Sequence, residues 1–245
     1  MLEIASLTRR FPGQTVPALR DVSFTVRAGD CIVISGANGS GKSVLMGLIA
    51  GLDTPTSGTV TTAQVNGIPV RVGLVFQDAD SQILGDTPTE DVAFGPRNLG
   101  HDKKTCTEIG KAALYRVGLA GKEQVPSRAL SGGEKRRLAV AGILAMDAGI
   151  IIFDEPFANL DWPGVLQVNS IIQQLKADGK TLIILTHELE KVLALANRLM
   201  VLYRGELVYN GTPQEALVSA PLNDWGIRNP LQSYVNHDDL LWRPL

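Results

Sequence analysis

The sequence predicts an α/β fold built around a mainly parallel β-sheet, with an antiparallel β layer at the N-terminus and an inserted helical segment. Short apolar runs typical of buried strands recur along the chain, and segments with apolar residues at helical spacing lie between them. A glycine-rich turn also joins one of these runs directly to a helix. Strands that alternate with helices form mainly parallel sheets, because each helix carries the chain back to the same edge.

The composition fits one large domain, or two small subdomains with a shared core, in a reducing compartment. Of 245 residues, 44% are hydrophobic and 20% are charged. The formal net charge of -2 argues against bulk electrostatic binding to nucleic acid or anionic lipid. Two cysteines, Cys31 and Cys106, are too few for a disulfide scaffold. We expect no secretory signal, so that the mature chain starts near Met1. We also expect no membrane span, since the longest apolar run covers only residues 138–146.

The first elements are predicted to form the antiparallel layer and then the glycine-rich turn. Residues 2–7 and 22–26 have the β-type composition of two paired strands. Residues 31–35 form a compact apolar run that passes through the turn into a helix over 44–50. Gly51 is placed to cap the C-terminus of that helix.

The remaining elements alternate strands with helices, as a parallel sheet requires. They are a strand at 70–76, helices within 87–145, strands at 150–153 and 182–186 flanking a helix near 165–176, and a hairpin of 199–203 and 206–209 turned through Arg204 and Gly205.

These elements divide a single domain, over residues 1–245, into three parts. We expect the β layer and the core to use approximately residues 1–84 and 146–211. Approximately residues 85–145 form the helical subdomain, and 212–245 form a C-terminal tail that the patterns do not place.

A phosphate-binding loop is predicted where the strand at 31–35 turns into the helix. Its eight residues match G-x-x-x-x-G-K-[ST] without a mismatch, in the strand–turn–helix context that this motif requires. Successive backbone N–H groups there surround phosphate oxygens. We expect Lys42 to reach the β- and γ-phosphates and the Ser43 hydroxyl to bind Mg²⁺. The loop consists of Gly36, Ala37, Asn38, Gly39, Ser40, Gly41, Lys42 and Ser43.

Two adjacent carboxylates follow the buried strand at 150–153. Taken alone, Asp154 and Glu155 are typical of a solvated strand end, but a phosphate loop in the same chain favours catalysis. Open α/β sheets bind ligands at this edge. Since neighbouring strand side chains point in opposite directions, the two are expected to have separate roles. We expect Asp154 to hold Mg²⁺ and Glu155 to act as general base on the attacking water.

A second glycine-rich helix start lies at Leu130-Ser131-Gly132-Gly133-Glu134. Ser131 and Glu134 fit a capping box, which any helix could use. Gly132 and Gly133 do not serve that purpose, because glycine weakens a helical turn by about 1 kcal/mol each. They leave bare N–H groups that can bind phosphate. One chain does not need two such cradles, so we expect this one to serve a second copy.

Together these motifs resemble the ATP-binding cassette ATPases, the nucleotide-binding subunits of transporters, over about residues 2–211. The resemblance implies a P-loop NTPase fold of the RecA-like type and binding of ATP with Mg²⁺. GANGSGKS is similar to the family's Walker A loop, LSGGE to its signature and IIIFDEP to its Walker B strand. Gln77 matches the Q-loop, residues 158–161 the D-loop and His187 the switch histidine.

The resemblance also gives roles to three residues that carry little signal alone. A glutamine that follows a strand is usually a surface residue, and a histidine at a strand end usually has a structural role. A phenylalanine near a turn is usually a buried ring. The resemblance implies that Gln77 binds Mg²⁺ at the hinge of the helical subdomain. It implies that His187 contacts the γ-phosphate and helps to orient Glu155, and that Phe11 stacks on adenine.

Three features depart from the family pattern or stay open. Asn159 stands where a small residue is common, although asparagine tolerates left-handed backbone. Trp162 can pack at a dimer interface or cover the core. The run Lys135-Arg136-Arg137 is typical of a solvated helix face, and can also approach a partner's nucleotide.

Four segments resemble the ATPase subunits of energy-coupling-factor importers, which serve cobalt, nickel and vitamins such as biotin. They are residues 73–84, 87–100 and 226–228, and the string LSGGEKRRLAVAGILAMD that contains the signature. The resemblance implies a peripheral protein on the cytoplasmic face of the membrane. It would dock on an integral-membrane scaffold through the groove beside the Q-loop, next to a substrate-binding subunit. Two ATPase subunits, either two copies or this chain and a paralogue, would sandwich two ATP molecules. The alternative left open is a soluble cassette ATPase that acts as an assembly factor or scaffold.

Overall fold

The computed structural model describes residues 1–231, which form two main β-sheets and the helices that cover them. The strands are β1 Leu2–Arg9, β2 Leu19–Val26, β3 Cys31–Ser35, β4 Ser57–Thr62, β5 Gln64–Val65, β6 Ile68–Pro69, β7 Val72–Val75, β8 Ile150–Asp154, β9 Thr181–Leu185, β10 Arg198–Tyr203 and β11 Glu206–Gly211. The helices are α1 Lys42–Ile49, α2 Pro88–Asn98, α3 Lys103–Arg116, α4 Gly132–Ala145, α5 Trp162–Ala177 and α6 Pro213–Ser219.

The central sheet has the strand order β11-β10-β3-β9-β8-β7, and each neighbouring pair is parallel except β10 with β11. This confirms the predicted mainly parallel sheet. Strands β3 and β9 are buried along their whole length, which explains their unbroken apolar sequence. The predicted hairpin is also confirmed, and Arg204 and Gly205 turn it with φ of +50° and +81°.

The N-terminal antiparallel layer is confirmed and has one strand more than the sequence analysis found. Its order is β2-β1-β4. The third strand, β4, has the sequence SGTVTT and is largely exposed, so it lacks the apolar alternation that identifies a strand. β4 forms because it pairs with β1 in the folded protein. The two backbones approach so closely that a Cβ on Gly58 would lie 2.3 Å from the carbonyl oxygen of Ser6, which requires glycine at this position.

Two hydrophobic clusters cover the two faces of the central sheet. On one face, residues such as Ile32 and Ile34 pack with the antiparallel layer and α1. On the other face, Cys31 and Val33 pack with residues from α4, α5 and α6. Alternate side chains of β3 therefore pack into the two clusters, one on each face of the sheet. This packing fixes the end of β3, from which the glycine-rich loop starts.

The segment predicted as helical contains three helices, α2, α3 and α4, which pack on one another. Helix α4 also packs against β7 at Gly73. Helix α1 begins at Lys42 and ends at Ile49, two residues and one residue before the predicted limits. Its C-cap is Ala50, and Gly51 follows in the left-handed conformation with φ of +71°.

Part of the predicted tail is folded. Helix α6 is followed by a turn in which Leu222 and Ile227 are buried against the core. Residues 232–245 lie outside the described residues. Between residues 1 and 231, none of the helices combines the length and the apolar character needed to cross a bilayer.

Gly73→Ala should lower the free energy of unfolding by about 1–3 kcal/mol, the usual cost of overpacking a core. A Cβ at this position would lie 2.2 Å from Ile143 Cγ2 and 3.0 Å from Ala148 Cβ. Urea unfolding followed by circular dichroism measures the change. Gly47→Ala in α1 is the control, since no atom lies within 4 Å of its Cβ and alanine favours helix by about 1 kcal/mol. Wild-type stability in Gly73→Ala would contradict the packing of α4 on β7.

Candidate nucleotide-binding site

The glycine-rich loop after β3 has a backbone that glycine alone can supply at two points. A Cβ on Gly36 would lie 2.3 Å from the carbonyl oxygen of Leu202 and 2.5 Å from Ser40 Oγ. A Cβ on Gly41, where φ is +105°, would lie 2.7 Å from the carbonyl oxygen of Ala18. The loop is therefore packed closely against its neighbours. The buried Ser40 hydroxyl has no hydrogen-bond partner within residues 1–231, so the loop keeps an unused polar group.

Lys42 is buried at the first position of α1 and points back into the loop. Its Nζ donates hydrogen bonds to the carbonyl oxygens of Gly36, at 2.7 Å, and Ala37, at 3.3 Å. Burial lowers the pKa of Lys42, while the charges of Glu155 and Asp154 raise it. The loop thus holds an ammonium group that phosphate oxygens can bind in place of carbonyls.

Asp154 and Glu155 lie beside this ammonium group, at the carboxyl end of β8. Burial raises the pKa of Asp154, and so does the charge of Glu155, whereas Lys42 lowers it. The strand ends at Asp154, and Glu155 has a φ of +43°. The predicted separation by strand alternation therefore does not apply to Glu155, and both carboxylates act on Lys42. The Oε2 atom of Glu155 is buried without a hydrogen-bond partner among residues 1–231.

His187 contacts Glu155 directly. Its Nδ1 lies 3.0 Å from Glu155 Oε1, and the imidazole is 58% exposed while the carboxylate side chain is 13% exposed. The backbone N–H of Glu155 donates to the carbonyl of Leu185 at the end of β9, which holds the two loops together. The pairing of β8 with β9 thus brings one nitrogen and one carboxylate to the same edge as Lys42.

Gln77 and Ser43 lie at the same edge of the sheet, and both are exposed. Ser43 is in the first turn of α1, and Gln77 follows β7, the neighbour of β8. The side chain of Gln77 faces a groove that it shares with Gly132, Gly133 and Asp161. The phosphate loop does not line that groove, so the two glycine-rich loops of one chain form separate surfaces.

The predicted capping box at the start of α4 is confirmed. The backbone N–H of Ser131 donates to Glu134 Oε2 at 2.8 Å, and that of Glu134 donates to Ser131 Oγ at 3.3 Å. Hydrogen bonds from Lys122 and from the Ser131 backbone hold the pKa of Glu134 at about 2. No atom lies within 4 Å of a Cβ on Gly132, and one on Gly133 would meet only Gln167 Oε1, at 3.3 Å. Packing within this chain therefore requires glycine at neither position.

The basic run in α4 is not the solvated face that the sequence analysis expected. All three side chains are partly buried. Lys135 pairs with Asp80, and Arg136 Nη2 donates to the carbonyl of Ala158 at 2.9 Å. Burial lowers the pKa of Arg136. These contacts tie α4 to the segment after Gln77 and to the segment around Asn159, an arrangement that no local pattern encodes.

Phe11, Asn159 and Trp162 follow the sequence expectations to different degrees. Phe11 is only partly buried, so it is not the enclosed ring that was one alternative. Asn159 has the left-handed conformation that asparagine tolerates, with φ of +58°. Trp162 begins α5 and is 73% exposed, which excludes a role in covering the core of this chain.

Sequence reasoning missed two contacts near the loop. The guanidinium of Arg9 lies over the ring of Phe11, 4.7 Å from its centroid. Gly226 reaches Ala37 in the phosphate loop, where a Cβ on Gly226 would lie 3.2 Å from that of Ala37. Arg9 is only two residues from Phe11, but the groups that hold it there, Asp53 and Thr54, are distant in sequence. The contact of Gly226 depends on the course of the tail, and its one sequence signal is that Gly226 lies in residues 226–228, a segment that resembles the importers.

Comparison with known proteins adds a family match and similar sequences. The family described as ABC transporter matches residues 19–158. An energy-coupling factor transporter ATP-binding protein of Methanospirillum hungatei is 39% identical over 88% of this chain and 56% of that protein, so the chain spans about half of its length. A protein of the same description from Methanocaldococcus jannaschii is 39% identical over 88% of this chain and 80% of its own length.

Two solved structures have the same architecture. The cbiO1 protein of Clostridium perfringens, described as part of the ABC transporter complex cbiONQ, has a TM-score of 0.79 and 28% identity over 94% of this chain and 95% of its own. The ATP-binding cassette MJ0796, solved as a dimer with ADP and Pi, has a TM-score of 0.73 and 25% identity over 86% of this chain and 98% of its own.

Proposed function

This chain belongs to the ABC transporter family of ATP-binding cassettes, and we propose that it is the ATP-hydrolysing subunit of an importer of the energy-coupling-factor type. The observation that carries the hydrolytic role is the pair of Glu155 and His187, 3.0 Å apart, beside the buried ammonium of Lys42. The transporter role is supported by the two relatives described as energy-coupling factor transporter ATP-binding proteins.

The triphosphate binds in the loop of residues 36–43. Its backbone N–H groups and the N-terminus of α1 surround the phosphate oxygens, and Lys42 leaves its two carbonyl partners for the β- and γ-phosphates. Phe11 supplies the ring on which adenine stacks. Because the loop is already packed against Leu202 and Ala18, little conformational entropy is lost when the nucleotide binds.

The oxygen donors at this edge fit Mg²⁺. Ser43, Gln77 and Asp154 offer a hydroxyl, an amide and a carboxylate, the oxygen ligands that this ion prefers. The pKa of Asp154 is raised mainly by burial, so a cation beside it favours the ionised form. Mg²⁺, when bound, neutralises charge on the phosphate oxygens.

Hydrolysis is a transfer of the γ-phosphoryl group to water. Glu155 accepts a proton from the attacking water, whose oxygen forms the new bond to phosphorus as the bond to the β-phosphate oxygen breaks. His187 holds the Glu155 carboxylate and contacts the γ-phosphate. Lys42 stabilises the negative charge that shifts toward the leaving group.

A second ATPase subunit completes each site. Ser131 presents its exposed hydroxyl, and Gly132 and Gly133 present backbone N–H groups, at the start of α4 and away from the phosphate loop of their own chain. They therefore contact the γ-phosphate bound by the partner, and two subunits sandwich two ATP molecules. The dimeric cassette among the similar structures supports this arrangement. The partner is a second copy of this chain or a related ATPase.

A second open groove, which shares Asp80 with the groove that Gln77 lines, fits the docking of a membrane scaffold. It is lined by Ile83, Leu84, Asp86, Pro126 and Arg128, and Leu84 is 68% exposed. A peripheral subunit docked there on the cytoplasmic face passes the closing motion of the ATPase pair to the scaffold. A separate substrate-binding subunit selects the cargo, a transition metal ion such as cobalt or nickel, or a vitamin.

Glu155→Gln should lower the rate of ATP hydrolysis by about 100-fold or more, because an amide does not accept the proton. ATP affinity should be unchanged, and the ATP-bound pair should accumulate as a dimer on size-exclusion chromatography. Glu190→Gln, at an exposed glutamate near the same edge, is the control and should turn over normally. Normal turnover in Glu155→Gln would show that another group is the base.

A mixture of Ser131→Arg and Lys42→Ala subunits should recover part of the ATPase activity that each variant alone lacks. In a mixed pair one site carries both changes, while the other keeps an intact phosphate loop and an intact signature. Single-turnover hydrolysis in the isolated mixed dimer is the measurement. No phosphate release from a mixed dimer shown to form would mean that the signature acts within its own chain.

The wild-type protein, purified in detergent from its own membranes, should bring integral-membrane subunits with it, identified by mass spectrometry. Leu84→Asp should lose them while keeping ATP hydrolysis, because a charge in the groove opposes docking. Tyr115→Asp is the matched control, because Tyr115 is also exposed but lies on α3, outside the groove. This variant should retain the membrane subunits. Recovery of the wild-type protein without membrane subunits would instead favour the soluble assembly factor.

A further inference from the structure

The aromatic ring before the first turn of the chain is covered on one side by a cation. The Arg9 guanidinium lies over the Phe11 ring at 4.7 Å from its centroid, which is within the range of a cation–π contact. Phe11 is partly exposed, whereas the Arg9 side chain is only 19% exposed. The ring is therefore in contact with a largely buried cation and keeps part of its own surface exposed.

Arg9 is fixed in this position by groups from a distant part of the chain. Its Nη2 pairs with Asp53 Oδ1 at 2.8 Å, and its Nη1 donates to the carbonyl oxygen of Thr54 at 2.7 Å. Both partners belong to the loop that follows α1, the helix that starts at the phosphate loop. The guanidinium thus connects the Phe11 ring to the far end of that helix.

We propose that Arg9 is a positioning residue for the base of the nucleotide. It covers one face of Phe11, fixes the ring before the nucleotide arrives, and leaves the opposite face for adenine. The proposal rests on the proposed function, in which Phe11 stacks on adenine, and adds a residue to which that function assigns no role.

The physical reason is the chemistry of phenylalanine. Its ring has no hydroxyl that a hydrogen bond could hold, so its orientation depends on what covers its faces. A guanidinium is flat and stacks on an aromatic face, and the two bonds to Asp53 and Thr54 prevent it from swinging away. A ring that is already oriented loses less conformational entropy when the base binds.

The test compares two ligands, Mg·ATP and magnesium-bound inorganic triphosphate, which lacks the base. Arg9→Gln should weaken the affinity for ATP by about two- to fivefold, the size of a cation–π contact at a partly exposed site, and leave the affinity for triphosphate unchanged. Isothermal titration calorimetry measures both. Arg10→Gln is the matched control, since Arg10 bonds to the carbonyl of Thr15, and should leave both affinities unchanged.

The same measurement in a Phe11→Ala variant distinguishes this proposal from the proposed function on which it rests. In Phe11→Ala protein, Arg9→Gln should have no further effect on ATP affinity. If Phe11→Ala weakens ATP binding but Arg9→Gln in protein that keeps Phe11 does not, the role proposed for Arg9 is wrong and the adenine site at Phe11 stands. If Phe11→Ala leaves ATP affinity unchanged, the adenine site itself is wrong, and the role of Arg9 with it.

A purely structural role for Arg9 has its own signature. Equal loss of affinity for ATP and for triphosphate would show that Arg9 acts through the fold and would overturn the proposal. Arg9→Lys covers the case in which Arg9→Gln does not fold, because lysine keeps the charge beside Asp53 without a flat group. It should also weaken ATP binding and spare triphosphate, and wild-type ATP affinity in Arg9→Lys would contradict stacking by the guanidinium.

Discussion

The buried ammonium of Lys42 is the group on which the rest of the site depends. Removal from water lowers its pKa, and the charges of Glu155 and Asp154 oppose that effect. It donates hydrogen bonds to two carbonyl groups of its own loop. Such a cation is costly unless anions stand nearby, so the strand that carries the carboxylates must lie at this edge of the sheet. The order β3-β9-β8 meets that requirement and places His187 two residues beyond the end of the strand between them.

The remainder of the molecule holds that edge in place and keeps the glycine-rich start of α4 on a separate surface. Ala18, directly before β2 of the antiparallel layer, packs against the loop of residues 36–43, and the opposite face of the sheet is covered by helices such as α4 and α5. Helix α4 is tied to the segments near Gln77 and Asn159 by Lys135 and Arg136. The helix that begins with the two glycines is thus joined to both segments within one chain.

The differences between expectation and structure have two physical causes. Strand alternation predicted separate directions for Asp154 and Glu155, but the strand stops at the first and the second takes a left-handed backbone. The basic run in α4 was expected in solvent, yet Arg136 is held by the Ala158 carbonyl. Periodicity describes a side chain relative to its own helix or strand. It contains nothing about a loop from another part of the chain that packs on the same face.

The sequence by itself determined whatever depends on local backbone and neighbouring side chains. The strand, glycine-rich loop and helix of residues 31–49, the capping box at Ser131, the hairpin at Arg204 and the buried strands of the central sheet were all predicted, because each is encoded within a few residues. Only the tertiary structure decided the strand β4, the cover of Phe11 by Arg9 and the partners of the basic run. These depend on segments that are far apart in sequence, such as Arg9 and Asp53, and meet only when the two layers of the fold pack together.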